Sequence, residues 1–252
     1  MIEVKQVTKA YGGKRVVDDV SVSIAKGRIT AFIGPNGAGK STLLSVISRL
    51  ADKDAGEVYI EGNPIGQWKS QELAKKLSIL KQTNQINVRI TVRELVAFGR
   101  FPYSQGRLTP EDWKHVDQAI AYMELQDLQH SYLDQLSGGQ NQRAFIAMVI
   151  AQGTDAVLLD EPLNNLDMRH SVQIMKVLRR LTDELGKTVV IVIHDINFAS
   201  CYADHIVALK NGRVVREGPV QQMIDTDVLR EVYDMDIPVQ VIDGNRICNY
   251  FT

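Results

Sequence analysis

The sequence predicts an α/β fold: a parallel-sheet core that follows an N-terminal antiparallel β region and is interrupted by an α-helical insertion. Three observations predict it. Short, mostly apolar runs at Ile29 to Ile33, Ala156 to Leu159 and Val189 to Ile193 alternate with helix-patterned segments, the mark of strands covered on both faces. Near the start, Ile2 and Val4, then Val20, Val22 and Ile24, alternate with polar residues, the period of half-buried antiparallel strands. Helix-start signals crowd the middle of the chain from about Thr91 onward.

Taken in order, Val58 and Ile60 add one more strand to the β-rich start, and the run Ser41 to Ile47 reads as a helix after a Gly-rich turn. Thr91 with Glu94 forms a capping box, and Thr109-Pro110-Glu111-Asp112 places a cap, a first-turn proline and two acids at a helix start. Trp113, Val116, Ile120 and Met123 then recur at helical spacing. Ser137 with Gln140 opens another helix running toward Gln152. Beyond it lie a strand ending in Asp160, a helix with Ile174, Leu178, Leu181 and Leu185 on one face stopped at Gly186, and the strand Thr188 to Ile193. Asn211-Gly212 and Asp243-Gly244, each between strand-like runs, read as hairpin turns. The expected organisation is one domain over 1–252, with 1–82 and 151–235 as the α/β core, 83–150 as the helical subdomain and 236–252 as a β tail.

The 252 residues carry 29 Lys+Arg against 30 Asp+Glu, 44% hydrophobic residues and 2 Cys. A chain of this length buries roughly three quarters of its unfolded surface, so a core forms without staples. Cys201 and Cys248 lack metal-ligand spacing and read as packing or surface residues. The longest apolar run, Ala144 to Ala151, is far short of the roughly 18 residues of a membrane span. The opening MIEVKQVTKAYGG has no apolar signal region, so a cytosolic, unsecreted chain is expected. The near-neutral charge argues against a broad nucleic-acid face.

Gly34, Pro35, Asn36, Gly37, Ala38, Gly39, Lys40 and Ser41 match the spacing Gly, four residues, Gly-Lys-Ser, between a predicted strand and helix. That is the P-loop of an NTPase core. Its backbone N–H groups converge on phosphate oxygens, and the following helix start adds about half a positive charge. Lys40 reaches the β/γ-phosphates, Ser41 places its hydroxyl on Mg²⁺, and Thr42 completes the nucleotide-binding run. An ion pair at 4 Å is worth about 4 kcal/mol at an effective dielectric of 20, which sets the scale for Lys40.

Asp160 and Glu161 end a strand and are stopped by Pro162. Ligands of an open parallel sheet gather at the carboxyl ends of its strands. Asp160 can hold Mg²⁺ there, directly or through water, and Glu161 can polarise an attacking water. His194 also ends a strand and is either a packed or capping residue or a γ-phosphate contact. Gly138 and Gly139, at the helix start opened by Ser137 and Gln140, each cost about 1 kcal/mol relative to Ala in a helix. A bare N–H surface there suits a close anion, either a further one or the triphosphate of a neighbouring copy.

These residues together resemble the ATP-binding subunit of an ABC transporter, over nearly the whole chain and in the family's order. Gly34 to Ser41 is similar to Walker A, Leu136 to Gln140 to the signature, and Val157 to Glu161 to Walker B. Gln82 matches the Q-loop, Asn165-Leu166-Asp167 the D-loop and His194 the switch histidine, while Tyr11 holds the place of the aromatic that stacks on adenine. The resemblance implies ATP and Mg²⁺ as cofactors, with Ser41, Gln82 and Asp160 toward the metal and Glu161 as general base. It also implies two nucleotides sandwiched between the P-loop of one copy and Ser137 to Gln140 of the other. An integral membrane permease and, indirectly, an extracytoplasmic substrate-binding protein are the implied partners, and the cytoplasmic face of the cell membrane the implied location. Where the family often has Ala-Arg-Ala, this chain has Ala147-Met148-Val149, a departure expected to touch helix packing or docking and not hydrolysis.

Glu161 to His170, Arg93 to Tyr103 and Asp236 to Val239 resemble the iron(III)-siderophore importers, a pattern that haem and cobalamin importers share in large part. A soluble ABC-type ATPase switch in translation or repair is the reading from another class. It is opposed by the absence of a tandem cassette or a long coiled-coil insertion. A GTPase or kinase is opposed by the signature helix and by the lack of an Asn-Lys-x-Asp motif.

Overall fold

The computed structural model describes residues 1–82, 86, 88–164 and 166–250. Its contacts divide the chain into two compact units, residues 1–68 with 188–252, and residues 69–187.

The first unit opens with β1 (Ile2–Tyr11), β2 (Lys14–Ile24), β3 (Ile29–Ile33), α1 (Lys40–Ile47), β4 (Ala55–Ile60) and β5 (Asn63–Pro64). Strands in the order β2-β1-β4-β5 form an antiparallel sheet. Its alternation is the one read from the sequence: Ile2 faces Ile24, Val4 faces Val22 and Val7 faces Val20, all buried. β3 does not alternate, because all five of its positions are buried.

The second unit contains α2 (Ser70–Lys76), β6 (Leu77–Leu80), α3 (Val92–Phe98), α4 (Phe101–Ser104), α5 (Pro110–Tyr122), α6 (Gly138–Ala151), β7 (Ala156–Asp160) and α7 (Met168–Asp183). α3, α5 and α6 each begin in a reciprocal capping box, Thr91 with Glu94, Thr109 with Asp112 and Ser137 with Gln140. Each box satisfies backbone donors that the helix itself leaves over. Val116 and Ile120 are buried on α5, with Met123 just after it. β6 and β7 pair in parallel. α7 buries Ile174, Leu178 and Leu181, but Leu185 lies beyond its end and is 47% exposed. The chain closes there in an αL cap at Gly186 (φ 61), with Gly186 N–H bonded to Thr182 O and Lys187 N–H to Leu181 O.

The first unit resumes with β8 (Thr188–Val192), α8 (Ile196–Tyr202), β9 (His205–Lys210), β10 (Arg213–Pro219), α9 (Val220–Met223), α10 (Thr226–Tyr233), β11 (Val239–Ile242) and β12 (Asn245–Cys248). β3 lies between β8 and β9, parallel to both, and β10 pairs antiparallel with β9. Asn211-Gly212 (φ 52 and 81) joins β9 to β10 and Asp243-Gly244 (φ 50 and 79) joins β11 to β12. Both are two-residue turns with positive φ at each centre, which matches the twist of the flanking strands. No helix among the described residues is long and apolar enough to cross a membrane.

One buried ion pair organises the helices of the second unit. The Arg100 Nε donates to Asp112 Oδ1 (2.9 Å) and its Nη1 to the Ala151 carbonyl (3.0 Å), with both side chains 6% exposed. The guanidinium also covers the Tyr103 ring at 3.9 Å. Burial alone would raise the Asp112 pKa, but the Thr109 N–H and hydroxyl and Arg100 outweigh it and hold the carboxyl below its ordinary value. A depressed folded-state pKa contributes stability that is present above the unfolded value, about 4, and lost as pH falls through the folded one. Arg100→Met should therefore cost about 3 kcal/mol in urea unfolding, since it strands a buried carboxylate. Asp112→Asn should flatten the acid limb of the stability profile.

Candidate nucleotide site

In the first unit the loop from Gly34 to Gly39 leaves β3 and enters α1. Two of its glycines are fixed by backbone pressed against them. A Cβ on Gly34 (φ 134) would lie 1.9 Å from Leu209 O, and one on Gly39 (φ 98) 2.4 Å from Val16 O. The hairpin turn after β9 closes the same side, with Gly212 N–H donating to Ala38 O (3.1 Å) and Asp18 N–H to Gly212 O (2.8 Å). Lys40, 4% exposed, donates from Nζ to Gly34 O (2.8 Å) and Pro35 O (3.0 Å), so its ammonium spans the loop. Ser41 and Thr42 follow in the first turn of α1, half-buried. The helix start directs its first N–H groups toward the loop, the arrangement that suits an anion.

His194 is exposed and follows β8, whose Val192 pairs with Phe32 of β3. The loop and His194 thus leave neighbouring parallel strands at the same rim. Asp195 caps the next helix, its Oδ1 accepting from Asn197 N–H (2.8 Å) and Phe198 N–H (3.2 Å). Tyr11 ends β1 and is 53% exposed, with Lys9 Nζ 5.3 Å from its ring centroid. Asp54 anchors that corner by accepting from Lys9 Nζ (3.0 Å) and Ala10 N–H (2.6 Å).

In the second unit Gln82 and Glu161 come together. Leu80 of β6 pairs with Leu159 of β7, so both residues lie just past the carboxyl ends of neighbouring strands. Gln82 Nε2 donates to Glu161 Oε2 at 2.6 Å, and Asn164 Nδ2 donates to the same oxygen at 2.5 Å. Glu161 is buried and sits at φ 50, a left-handed conformation that costs a non-glycine residue about 1–3 kcal/mol and clusters at functional sites. Asp160, immediately before it, is 7% exposed. A hydroxyl at Ser41 and a carboxylate at Asp160 are hard oxygen donors of the kind Mg²⁺ takes alongside phosphate oxygens and water. The amide oxygen of Gln82 is the end that could face a cation, because its nitrogen is turned to Glu161.

The start of α6 holds Ser137, Gly138, Gly139 and Gln140. Ser137 N–H donates to Gln140 Oε1 (2.9 Å) and Gln140 N–H to Ser137 Oγ (3.3 Å). The two glycines have different surroundings. Gly138 has open space where a Cβ would point, whereas at Gly139 a Cβ would meet the His170 ring at 3.1 Å. Asp167 fixes that ring by bonding His170 Nδ1 at 2.8 Å while its Oδ1 also caps α7. Gln142 Nε2 donates to Pro162 O (3.1 Å), tying the helix to the turn that carries Glu161. Asn165 lies outside the described residues.

Sequence reasoning missed Asn164, His170 and Tyr233. Tyr233 Oη accepts the Gly34 N–H at 3.1 Å. Asn164 carries a weak local signal, an amide three residues past a strand-end carboxylate. Tyr233 is 199 positions from Gly34, and His170 lies on a different helix from Gly139.

Residues 17–164 match the ABC transporter family model. The chain is 69% identical over 252 residues, all of both proteins, to the petrobactin import ATP-binding protein YclP of Bacillus subtilis (strain 168). It is 40% identical over 240 residues, 94% of this chain and 89% of the relative, to the iron(3+)-hydroxamate import ATP-binding protein FhuC of the same organism. Among solved structures, a dimeric post-hydrolysis state of the ATP-binding cassette MJ0796 bound to ADP and Pi superimposes with a TM-score of 0.78, at 35% identity, covering 87% of this chain and 99% of that one. A phosphate loop backed by β9 and β2, a parallel-strand core and full-length likeness to import ATP-binding proteins leave one assignment: the chain belongs to the ABC transporter family, as an ATP-binding cassette.

Proposed function

We propose that this chain is the ATP-hydrolysing subunit of an importer for iron(III)-siderophores. The observation that carries the cargo is likeness, over the full length for the first and over 240 residues for the second, to import proteins whose names specify petrobactin and iron(3+)-hydroxamate. The cassette never meets the cargo, so its own residues power transport without reading the siderophore. A deletion strain should lose uptake of a labelled ferric siderophore and keep that of haem and cobalamin. Loss of haem or cobalamin uptake instead would reassign the cargo.

Lys40 and the Gly34 to Thr42 backbone bind the triphosphate, and Tyr11 stacks on adenine. Ser41, Asp160 and Gln82 would hold Mg²⁺, which would supply charge neutralisation for the transferred phosphate. Glu161, oriented by the Gln82 and Asn164 amides, takes the proton of the water that attacks the γ-phosphorus as the bond to the β–γ bridging oxygen breaks and ADP leaves, and His194 contacts the γ-phosphate. General-base catalysis contributes about 10²–10⁴-fold. Glu161→Gln should therefore bind ATP normally and lose turnover by at least about a hundredfold. Hydrolysis near the wild-type rate in a phosphate-release assay would exclude Glu161 as the base.

The exposed start of α6 serves the nucleotide of a second copy, giving an ATP-sandwiched homodimer. In mixed dimers, one copy with Lys40→Ala and the other with Ser137→Ala, both lesions should fall on the same composite site and leave the other site intact. Activity that instead tracks each copy separately would oppose the trans arrangement.

A permease has a candidate seat on the second unit. Ile90, Ala97, Phe98, Phe101, Leu108 and Trp113 line a groove of about 360 Å³, with Phe98 54% and Phe101 60% exposed. Docking there to a membrane subunit would place the chain at the cytoplasmic face of the membrane, with an extracytoplasmic substrate-binding protein joining the assembly indirectly.

A further inference from the structure

The C-terminal part of the first unit reaches the phosphate loop from behind. β3 pairs with β9 as far as Ile33, opposite Ala208, and with β8 as far as Phe32, opposite Val192. Gly34 is the first residue past both ladders, and its N–H turns to the Tyr233 hydroxyl at 3.1 Å. Its carbonyl accepts Lys40 Nζ at 2.8 Å. Gly34 is therefore pinned on both sides, by Tyr233 at its N–H and by Lys40 at its C=O, at a φ of 134.

Tyr233 is itself held firmly. It is the last residue of α10, and Lys210 at the end of β9 locks that end by donating to Glu231 O and to Asp234 Oδ1, both at 2.7 Å. Burial pushes the Tyr233 pKa up to about 12, so the group stays a neutral hydroxyl across the working range of pH. The next stretch of chain grips the helix after His194. Asn197 takes the Cys248 N–H on Oδ1 (2.7 Å) and donates from Nδ2 to the Cys248 carbonyl (3.2 Å), while Ser200 Oγ donates to Arg246 O (2.5 Å).

We propose that Tyr233 is a positioning residue for ATP binding: by holding the Gly34 N–H it fixes the backbone at Gly34, whose carbonyl, in the following peptide, aims Lys40 at the triphosphate. The inference rests on the P-loop being the ATP site. Without the hydroxyl, Gly34 loses an anchor and the loop samples orientations in which its carbonyl no longer directs the ammonium. The bond is made by the protein to itself, so its loss loosens the loop before ATP arrives, which weakens ground-state binding and leaves the chemical step alone.

The test is ATPase kinetics on the full chain carrying Tyr233→Phe, beside Val232→Ala, which thins the same buried helix without touching Gly34. Tyr233→Phe should raise the KM for ATP about fivefold, the scale of one hydrogen bond, with kcat within twofold of wild type. Val232→Ala should lower the melting temperature and leave KM unchanged. An unchanged KM in Tyr233→Phe, or an equal rise in both variants, overturns the proposal. Amide exchange at Gly34 gives a readout without activity: protected in wild type, it should speed at least tenfold in Tyr233→Phe. If that variant does not fold, a wild-type Gly34 amide exchanging as fast as an open loop overturns the bond, and a protected one supports it. A wild-type chain that failed to hydrolyse ATP would count against the nucleotide reading, and Gly34 exchange would still decide the contact.

Discussion

Two backbone carbonyls, Leu209 O behind Gly34 and Val16 O behind Gly39, set the terms for the rest of the first unit. A phosphate loop must expose N–H groups on one side, so its other side has to be covered by something that needs no side-chain space from the loop. Here bare backbone from β9 and β2 provides that cover. Each approach is too close for a Cβ, and the sequence requirement for glycine at these two positions follows from neighbours far along the chain. Gly212 N–H, bonded to Ala38 O, extends the same wall. The β9–β10 hairpin turn consequently has a role beyond reversing the chain.

The second unit solves a different problem, which is to orient a carboxylate at a strand end. Two amide groups from Gln82 and Asn164 share one oxygen of Glu161, and amides orient a carboxylate without introducing a full positive charge. The left-handed backbone at Glu161 carries a conformational cost that the Pro162 turn and the Gln142 bond to its carbonyl help to sustain. That cost falls on the residue with the chemical assignment, while Asp160 beside it remains within regular β7. Strain at one position and regular structure at the next is a pattern that gives two adjacent acids different surroundings.

Features encoded within a few residues were legible in the sequence. The capping boxes at Thr91, Thr109 and Ser137, the hairpin turns at Asn211-Gly212 and Asp243-Gly244, and the loop from Gly34 to Ser41 all act through hydrogen bonds or dihedral angles of near neighbours. Long-range partners carried no comparable signal. Tyr233 is 199 positions from Gly34, and nothing about a tyrosine near a helix end says which N–H it accepts. Leu185 shows the limit from the other side: its periodicity continues the face of Ile174, Leu178 and Leu181, but the αL closure at Gly186 takes it out of the helix. Periodicity cannot see where the backbone bonds stop.

Gly139 shows how a functional motif and a packing requirement can occupy one residue. A pair of glycines at a helix start suggests a surface kept bare for a ligand, and at Gly138 the space is indeed open. At Gly139 the His170 ring fills the place of a side chain, and Asp167 holds that ring through Nδ1. The second glycine therefore lets the start of α7 press against the start of α6. Two helix N-termini that each leave over N–H donors are thereby fixed side by side, one capped by Ser137 and the other by Asp167. An anion arriving at the open face of Gly138 would meet a helix start whose position is already set by its neighbour, so little ordering would remain for binding to supply.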